Sequence, residues 1–303
     1  MSTLAIASKS GLLAIKQLAA AEVAIFSSLL IMTIYIAIKH GAKGVMVWHM
    51  LAGLESMAII AAALRIAQNG NPRKYGGGVA FAVSGLQAML CLVPIGLIYE
   101  VCLFIPTIGL WTNRLNLALF HVLPLMSIII AQIFGAPKSH EARGDHSPVN
   151  ATLAKLGFLV LLLDLVMLMV EGTYLLVFRV REATSYKITR QLKTLLYTMI
   201  AALPFGMIRL GHEVAYIFNP SQDRNLEIGA FGNMFFISFL MPIAFTIPLV
   251  IGGFLTRNIG SAHVGLVRED SRRAFGDEIE LKAPLEEIEE QQHNRRTAGV
   301  WMR

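Results

Sequence analysis

The stretch that decides the fold is Leu156–Phe178, LGFLVLLLDLVMLMVEGTYLLVF. Only Asp164 and Glu171 carry charge among its 23 residues. A helix needs about 20 mostly apolar residues to cross the hydrocarbon layer of a bilayer. No alternation of apolar and polar residues runs through it, so it does not read as a strand of a membrane barrel. It reads as a helix that crosses a membrane.

Working outward, six more runs have the same character: Leu18–Ile38, Val45–Ala67, Val79–Tyr99, Leu115–Phe134, Leu195–Phe218 and Gly229–Leu255. The third has room to extend toward Ile105, where Pro106 stops it. The expected fold is therefore all-α, a polytopic bundle of seven membrane-spanning helices. Residues 1–17 form an N-terminal segment, 18–256 the helical domain and 257–303 a polar, largely disordered cytosolic tail. Composition agrees: 55% of the 303 residues are apolar and 15% charged, against about 45–50% and 25% in soluble chains. The first run is of full span length and follows Lys9 and Lys16. The reading is a retained anchor rather than a cleaved signal peptide.

The net charge of +6 is unevenly placed. The chain up to Thr256 carries 18 Lys and Arg against 11 Asp and Glu, and the tail carries 8 against 9. Juxtamembrane Lys and Arg meeting lipid headgroups account for the basic excess. No basic stripe interleaved with aromatics suggests nucleic acid. With the N-terminus outside, twelve Lys and Arg fall on the inner side and nine on the outer. That bias favours a cytosolic C-terminus. The sequon Asn150-Ala-Thr152 then lies outside, as a weak glycosylation candidate. The two cysteines, Cys91 and Cys102, are eleven residues apart on one run, roughly 16 Å along a helix. A disulfide requires about 7 Å between Cα atoms, so both read as free thiols.

Ionisable residues at membrane depth are costly and face the interior of a bundle. Arg209 and Glu213 are four apart on the sixth span and share a face, with His212 beside them. Pro204 lies about one turn earlier. This is the densest polar cluster in the chain. Its plainer reading is a self-neutralised pair that locks helix packing; its functional reading is the floor of an outward-facing ligand pocket. Asp164 and Glu171 lie seven apart on the fifth span and could bind a cation, relay protons, or pair with Arg209 and Arg65. Glu55, Arg65 and Gln87 read as structural polar residues, and Glu22 and His49, near span ends, as snorkelling side chains. Pro94, Pro124, Pro242 and Pro248 fall inside spans, where static bends are the commoner outcome.

Several chemistries are missing. The last span has no lysine for a retinal Schiff base. The histidines are scattered, with no HxxxH or HExxH for zinc. No GxSxG or Walker A sequence occurs. An enzyme is not expected, nor a cofactor, nor a metal. The rhodopsin-type signatures are also absent: no arginine follows Tyr99-Glu100, and Asn219-Pro220 follows the sixth span rather than lying in the seventh.

The stretches Ile38-Lys39-His40-Gly41, Trp48, Ala63-Leu64-Arg65-Ile66-Ala67, Gly85 through Leu97 (GLQAMLCLVPIGL) and Pro204-Phe205-Gly206-Met207-Ile208-Arg209 together resemble a fungal seven-span membrane domain family of unknown function. Its members are sometimes labelled family C-like G-protein-coupled receptors. The resemblance covers roughly residues 15–255 and implies a fold and a fungal setting, with no established ligand. That family usually has a tyrosine three residues after the span-six arginine; here the position is His212. A more distant likeness is to fungal lipid-translocating exporters. The expected function is a receptor-like sensor. It would bind a ligand near Arg209, His212 and Glu213, and a cytosolic signalling partner at the loop between spans five and six or at the tail. The alternatives are a lipid or small-molecule translocator with a polar path through Asp164, Glu171 and Arg209, and a structural membrane protein.

Overall fold

The computed structural model describes residues 9–41, 44–68, 75–105, 108, 118, 122–130, 151–183, 185–219 and 231–259. Among them there are helices and turns and no strand. The helices are α1 Lys9–His40, α2 Val45–Gln68, α3 Gly76–Cys102, α4 Ala151–Tyr174, α5 Tyr186–Phe218 and α6 Met241–Leu255. A π-helical turn, Leu175–Arg179, and a 3-10 turn, Val180–Glu182, prolong α4. A second π-helical stretch, Met234–Leu240, follows the short turn Phe231–Asn233 and leads into α6. Six of these helical segments are long and apolar enough to span a bilayer. The protein is a multi-pass membrane protein. Of the expected fourth span, Leu115–Phe134, residues 118 and 122–130 are helical; the rest lies outside the described residues, as do Asn150 and the tail beyond 259.

The ends sharpen one expectation and correct another. α3 stops at Cys102, and Leu103 closes it by donating its N–H to the carbonyls of Tyr99 and Glu100, short of Ile105. The loop expected between the fifth and sixth spans shrinks, since helical structure ends at Glu182 and resumes at Tyr186. Helical structure runs past the apolar stretch on both sides, so Lys187, Arg190 and Lys193 ride on the first turns of α5.

Helix directions follow from which residues meet. α1 and α2 run antiparallel, since Thr33 reaches Glu55 while Arg65 reaches Glu22. α2 and α3 run antiparallel along a seam of small residues: Gly53 lies against Met89, Gly85 against Met57, and Gly96 against Val47. A Cβ on Gly96 would come within 2.9 Å of the Val47 Cα, so only glycine allows that backbone approach. α3 and α4 run parallel. Cys91 lies at the level of Leu161 and Asp164, and Cys102 at the level of Glu171 and Arg179. α4 and α5 are antiparallel through Gly172 with Met199 and Gly206 with Leu165. α6 runs antiparallel to α5, with Gly252 against Thr198 and Phe245 against Gly206. It therefore ends on the same face as α1, α3 and α4. Of the six long helices, α3 is the most enclosed.

Candidate functional site

The inward stripe of α5 is read directly from burial: Ile188, Leu192, Leu195, Met199, Ala202, Gly206, Arg209 and Glu213 are all buried. Their spacing of three and four is that of one helix face. Arg209 is only 1% exposed, so a guanidinium is held inside the bundle. His212, one residue off the stripe, is half-buried.

The reason for a buried arginine here lies in the neighbouring helix. In the π-helical stretch the N–H of Met241 bonds back five residues to the Phe236 carbonyl. The next bond in that register would run from residue 242 to the carbonyl of Ile237. Residue 242 is proline and has no N–H. Arg209 Nη1 supplies the missing donor, 2.9 Å from the Ile237 oxygen. An unfilled carbonyl in a bilayer is costly, so Arg209 caps a gap that Pro242 leaves. Pro242 thus sits at the first turn of α6, inside the span Phe231–Leu255.

One turn away, Arg65 of α2 donates from Nη1 to Glu22 Oε2 at 3.1 Å and from Nη2 to Ser238 Oγ at 3.2 Å. Ser238 belongs to the same π-helical stretch. Arg209 lies in the electrostatic field of Glu213, Arg65 and Glu22. Two guanidinium groups and two carboxylates, contributed by α1, α2 and α5, thus meet the entry to α6. The charges balance, which is how such groups are tolerated at membrane depth. Arg65 Nε and Arg209 Nε have no hydrogen-bond partner among the described residues.

This arrangement corrects two sequence expectations. Glu22 does not snorkel: it is buried and paired with Arg65, because α1 extends nine residues before the apolar run and places Glu22 well inside the helix. Arg65 likewise finds its carboxylate on α1, not on the fifth span. Asp164 and Glu171 lie on α4 with other neighbours. Asp164 is buried against Cys91 of α3, and Glu171 is half-buried. Glu55 is buried, and its Oε1 accepts a hydrogen bond from Thr33 Oγ1 at 2.8 Å. Gln87 is buried within α3. Glu55 and Arg65, ten apart on α2, serve different partners. Cys91 and Cys102 are free and buried.

A second polar site lies at the opposite end of the bundle, and sequence reasoning missed it. His40 Nδ1 lies 2.7 Å from Glu100 Oε1, and His40 Nε2 lies 3.1 Å from the Gly253 carbonyl. Both nitrogens face acceptors. A carbonyl oxygen only accepts, so Nε2–H donates to Gly253. The short contact on the other side ties the ring to the Glu100 carboxyl group. Thr256 Oγ1 donates to the Gly252 carbonyl at 2.8 Å and stands 3.4 Å from His40 Nε2. The Trp48 ring packs on the imidazole with centroids 4.8 Å apart. This lock joins the ends of α1, α3 and α6 and the start of α2. The signal for it was present: Gly41, with φ 69°, ends α1 in the left-handed conformation, so His40 is held at the last turn. Glu100, 60 residues on, gave no local hint.

Among the described residues no group of His, Cys, Asp and Glu is arranged to hold a metal ion. The model of a family described as a domain of unknown function, DUF7702, matches residues 12–259. That range takes in the six long helices except the first turn of α1, together with the charge cluster and the His40–Glu100 lock. No curated protein and no solved structure matches.

Proposed function

The chain belongs to the DUF7702 family, and from that premise we propose that it is a receptor-like sensor, a seven-helix membrane protein without enzymatic activity. The observation that carries this reading is the double grip on the last helix. Near its entry, Arg65 holds Ser238 and Arg209 holds the Ile237 carbonyl. Near its end, His40 holds the Gly253 carbonyl. A ligand that engages Arg209, His212 or Glu213 changes the balance of the first grip, and α6 carries the change to the second. The π-helical stretch between them is the adjustable element, since such turns are strained insertions that recur at functional sites. This agrees with the receptor label that the sequence resemblance carries.

The parallel course of α3 and α4 supports a seventh crossing. α3 ends on the face where α4 also ends, and that parallel course favours one more crossing before Ala151. Leu115–Phe134 has the composition for it, and residues 122–130 are helical. Positive charge supports the orientation. Among the described residues, Lys39, Arg179, Arg181, Lys187, Arg190, Lys193 and Arg257 gather at the His40 end, against Lys9, Lys16, Arg65 and Lys155 at the other. That favours a cytosolic His40 end, an outside N-terminus and a cytosolic C-terminus. The signalling partner would then meet the basic first turns of α5 or the tail.

The test is hydrogen exchange on the full-length protein in nanodiscs. Arg209→Gln is expected to lower amide protection at Gly252–Thr256, some sixteen residues from the substitution's contact. Unchanged protection there, in a variant that melts like the wild type, would remove the coupling on which the sensor reading depends. Movement of a labelled lipid between leaflets by the purified protein in liposomes would instead favour a translocator.

A further inference from the structure

Outside the two polar networks, one exposed feature combines cations and aromatic rings across two helices. On the lipid-facing side of the α1–α6 seam, Lys39 Nζ stands over the Tyr35 ring at 5.7 Å from its centroid. Tyr35 packs on Phe254 of α6 with centroids 6.3 Å apart. Arg257 Cζ stands over Phe254 at 4.2 Å, and its Nη1 donates to the Phe254 carbonyl at 3.3 Å. Both rings are exposed, as are Ile38 and Leu255 beside them. The four side chains form a chain of contacts, cation on ring, ring on ring, ring on cation, at the level where the apolar parts of α1 and α6 end.

The seam is held from behind. His40 follows Lys39, and Thr256 precedes Arg257. His40 and Thr256 turn inward to the Glu100 lock, so their neighbours turn outward. The buried contacts fix the spacing of α1 and α6, and each cation is held over a ring of its own helix. Preorganised cations lose less freedom on binding than free side chains do. Among the described residues neither Lys39 nor Arg257 makes an ion pair.

We propose that this seam binds the phosphate headgroup of an anionic lipid, with Lys39 and Arg257 contacting the phosphate and Tyr35, Phe254, Ile38 and Leu255 bordering the upper acyl chain. The ligand chemistry follows from the position: two cations, each held over an exposed ring near the ends of α1 and α6, with aromatic and aliphatic groups beside them, suit an amphiphile with an anionic head. The inference depends on the membrane setting but not on the sensor reading, since it is read without any other ligand.

The experiment titrates dioctanoyl phosphatidic acid into full-length protein held in phosphatidylcholine nanodiscs, with bound lipid counted by native mass spectrometry. Lys39→Ala and Arg257→Ala are each expected to weaken retention roughly 5-fold, and the pair about 30-fold. The pair Lys39→Arg with Arg257→Lys keeps the charges and is expected to retain the lipid. Lys187→Ala with Arg190→Ala removes the same charge from the same face and serves as the comparison. Equal weakening by that comparison pair would reduce the effect to diffuse surface attraction and overturn the site. Unchanged retention in the Lys39 and Arg257 single variants would also overturn it. Equal protection by inorganic phosphate in neutral discs would overturn the lipid assignment. Should the double alanine variant fail to fold, the two single variants carry the result.

Discussion

The sharpest prediction concerns Arg209 and Pro242, which are coupled through a carbonyl that neither owns. Arg209 Nη1 fills the Ile237 oxygen at 2.9 Å because Pro242 has no N–H to offer it. Arg209→Met removes a charge-assisted hydrogen bond and leaves that carbonyl unfilled, and it also strips a cation from the field around Glu213 and Glu22. Breaking a buried charge arrangement on one side costs about 3–5 kcal/mol. In a Pro242→Ala background, the new backbone N–H can satisfy Ile237, so the share of the loss due to the orphaned carbonyl, about 1–3 kcal/mol, disappears. Hydrogen bonds in membrane bundles fall at the low end of such ranges, with a maximum near 1.7 kcal/mol. The expected coupling is therefore about 1–2 kcal/mol: Arg209→Met should hurt less with alanine at 242 than with proline. The assay is a double-mutant cycle by reversible unfolding in mixed detergent micelles, with helicity as the signal. Additivity within about 0.5 kcal/mol, the usual finding for independent sites, would refute the claim that Arg209 is buried to cap the proline gap.

Other outcomes follow from the same contacts. Arg65→Met should destabilise by about 3–5 kcal/mol by stranding Glu22, and Glu22→Gln in the same chain should recover part of it; no recovery would separate the two residues. Gly253→Ala should cost about 1–3 kcal/mol, because the new methyl meets the Trp48 ring and the Ile36 side chain, whereas Gly211→Ala meets nothing within 4 Å and should leave the melting temperature where it is. Glu100→Ala should unfold more readily than Glu100→Gln, since the amide oxygen can still face His40; equal losses would argue against the hydrogen bond as the source of stability. Single cysteines placed at Asn150 and Glu286, in a chain whose buried Cys91 and Cys102 do not react, should be labelled from opposite sides of the membrane. Labelling from one side would contradict an odd number of crossings.

The helices themselves were legible in the sequence. A run such as Leu156–Phe178 has to become a helix if it enters a bilayer, because nothing else there satisfies its backbone; this is a local property of composition and length. The polar cluster on α5 was legible for the same reason, since a spacing of four puts Arg209 and Glu213 on one face whatever surrounds them. Periodicity tells which face of a helix turns inward. It does not tell which helix lies opposite, or at what height. Glu22 therefore looked like a snorkelling end residue until α2 brought Arg65 to it across 43 residues. Gly41 marked the turn that holds His40, but Glu100, which His40 meets across 60 residues, gave no local hint. The role of Arg209 needed a third element, because its partner is a backbone carbonyl left open by a proline on another helix. Sequence marked the segments apolar enough to cross a membrane, six of which are long helices in the structure, since burial in lipid acts on each segment alone. Only the tertiary structure decided which charges neutralise which, since that depends on helix direction and register, and those are fixed by close packing between segments distant in the chain.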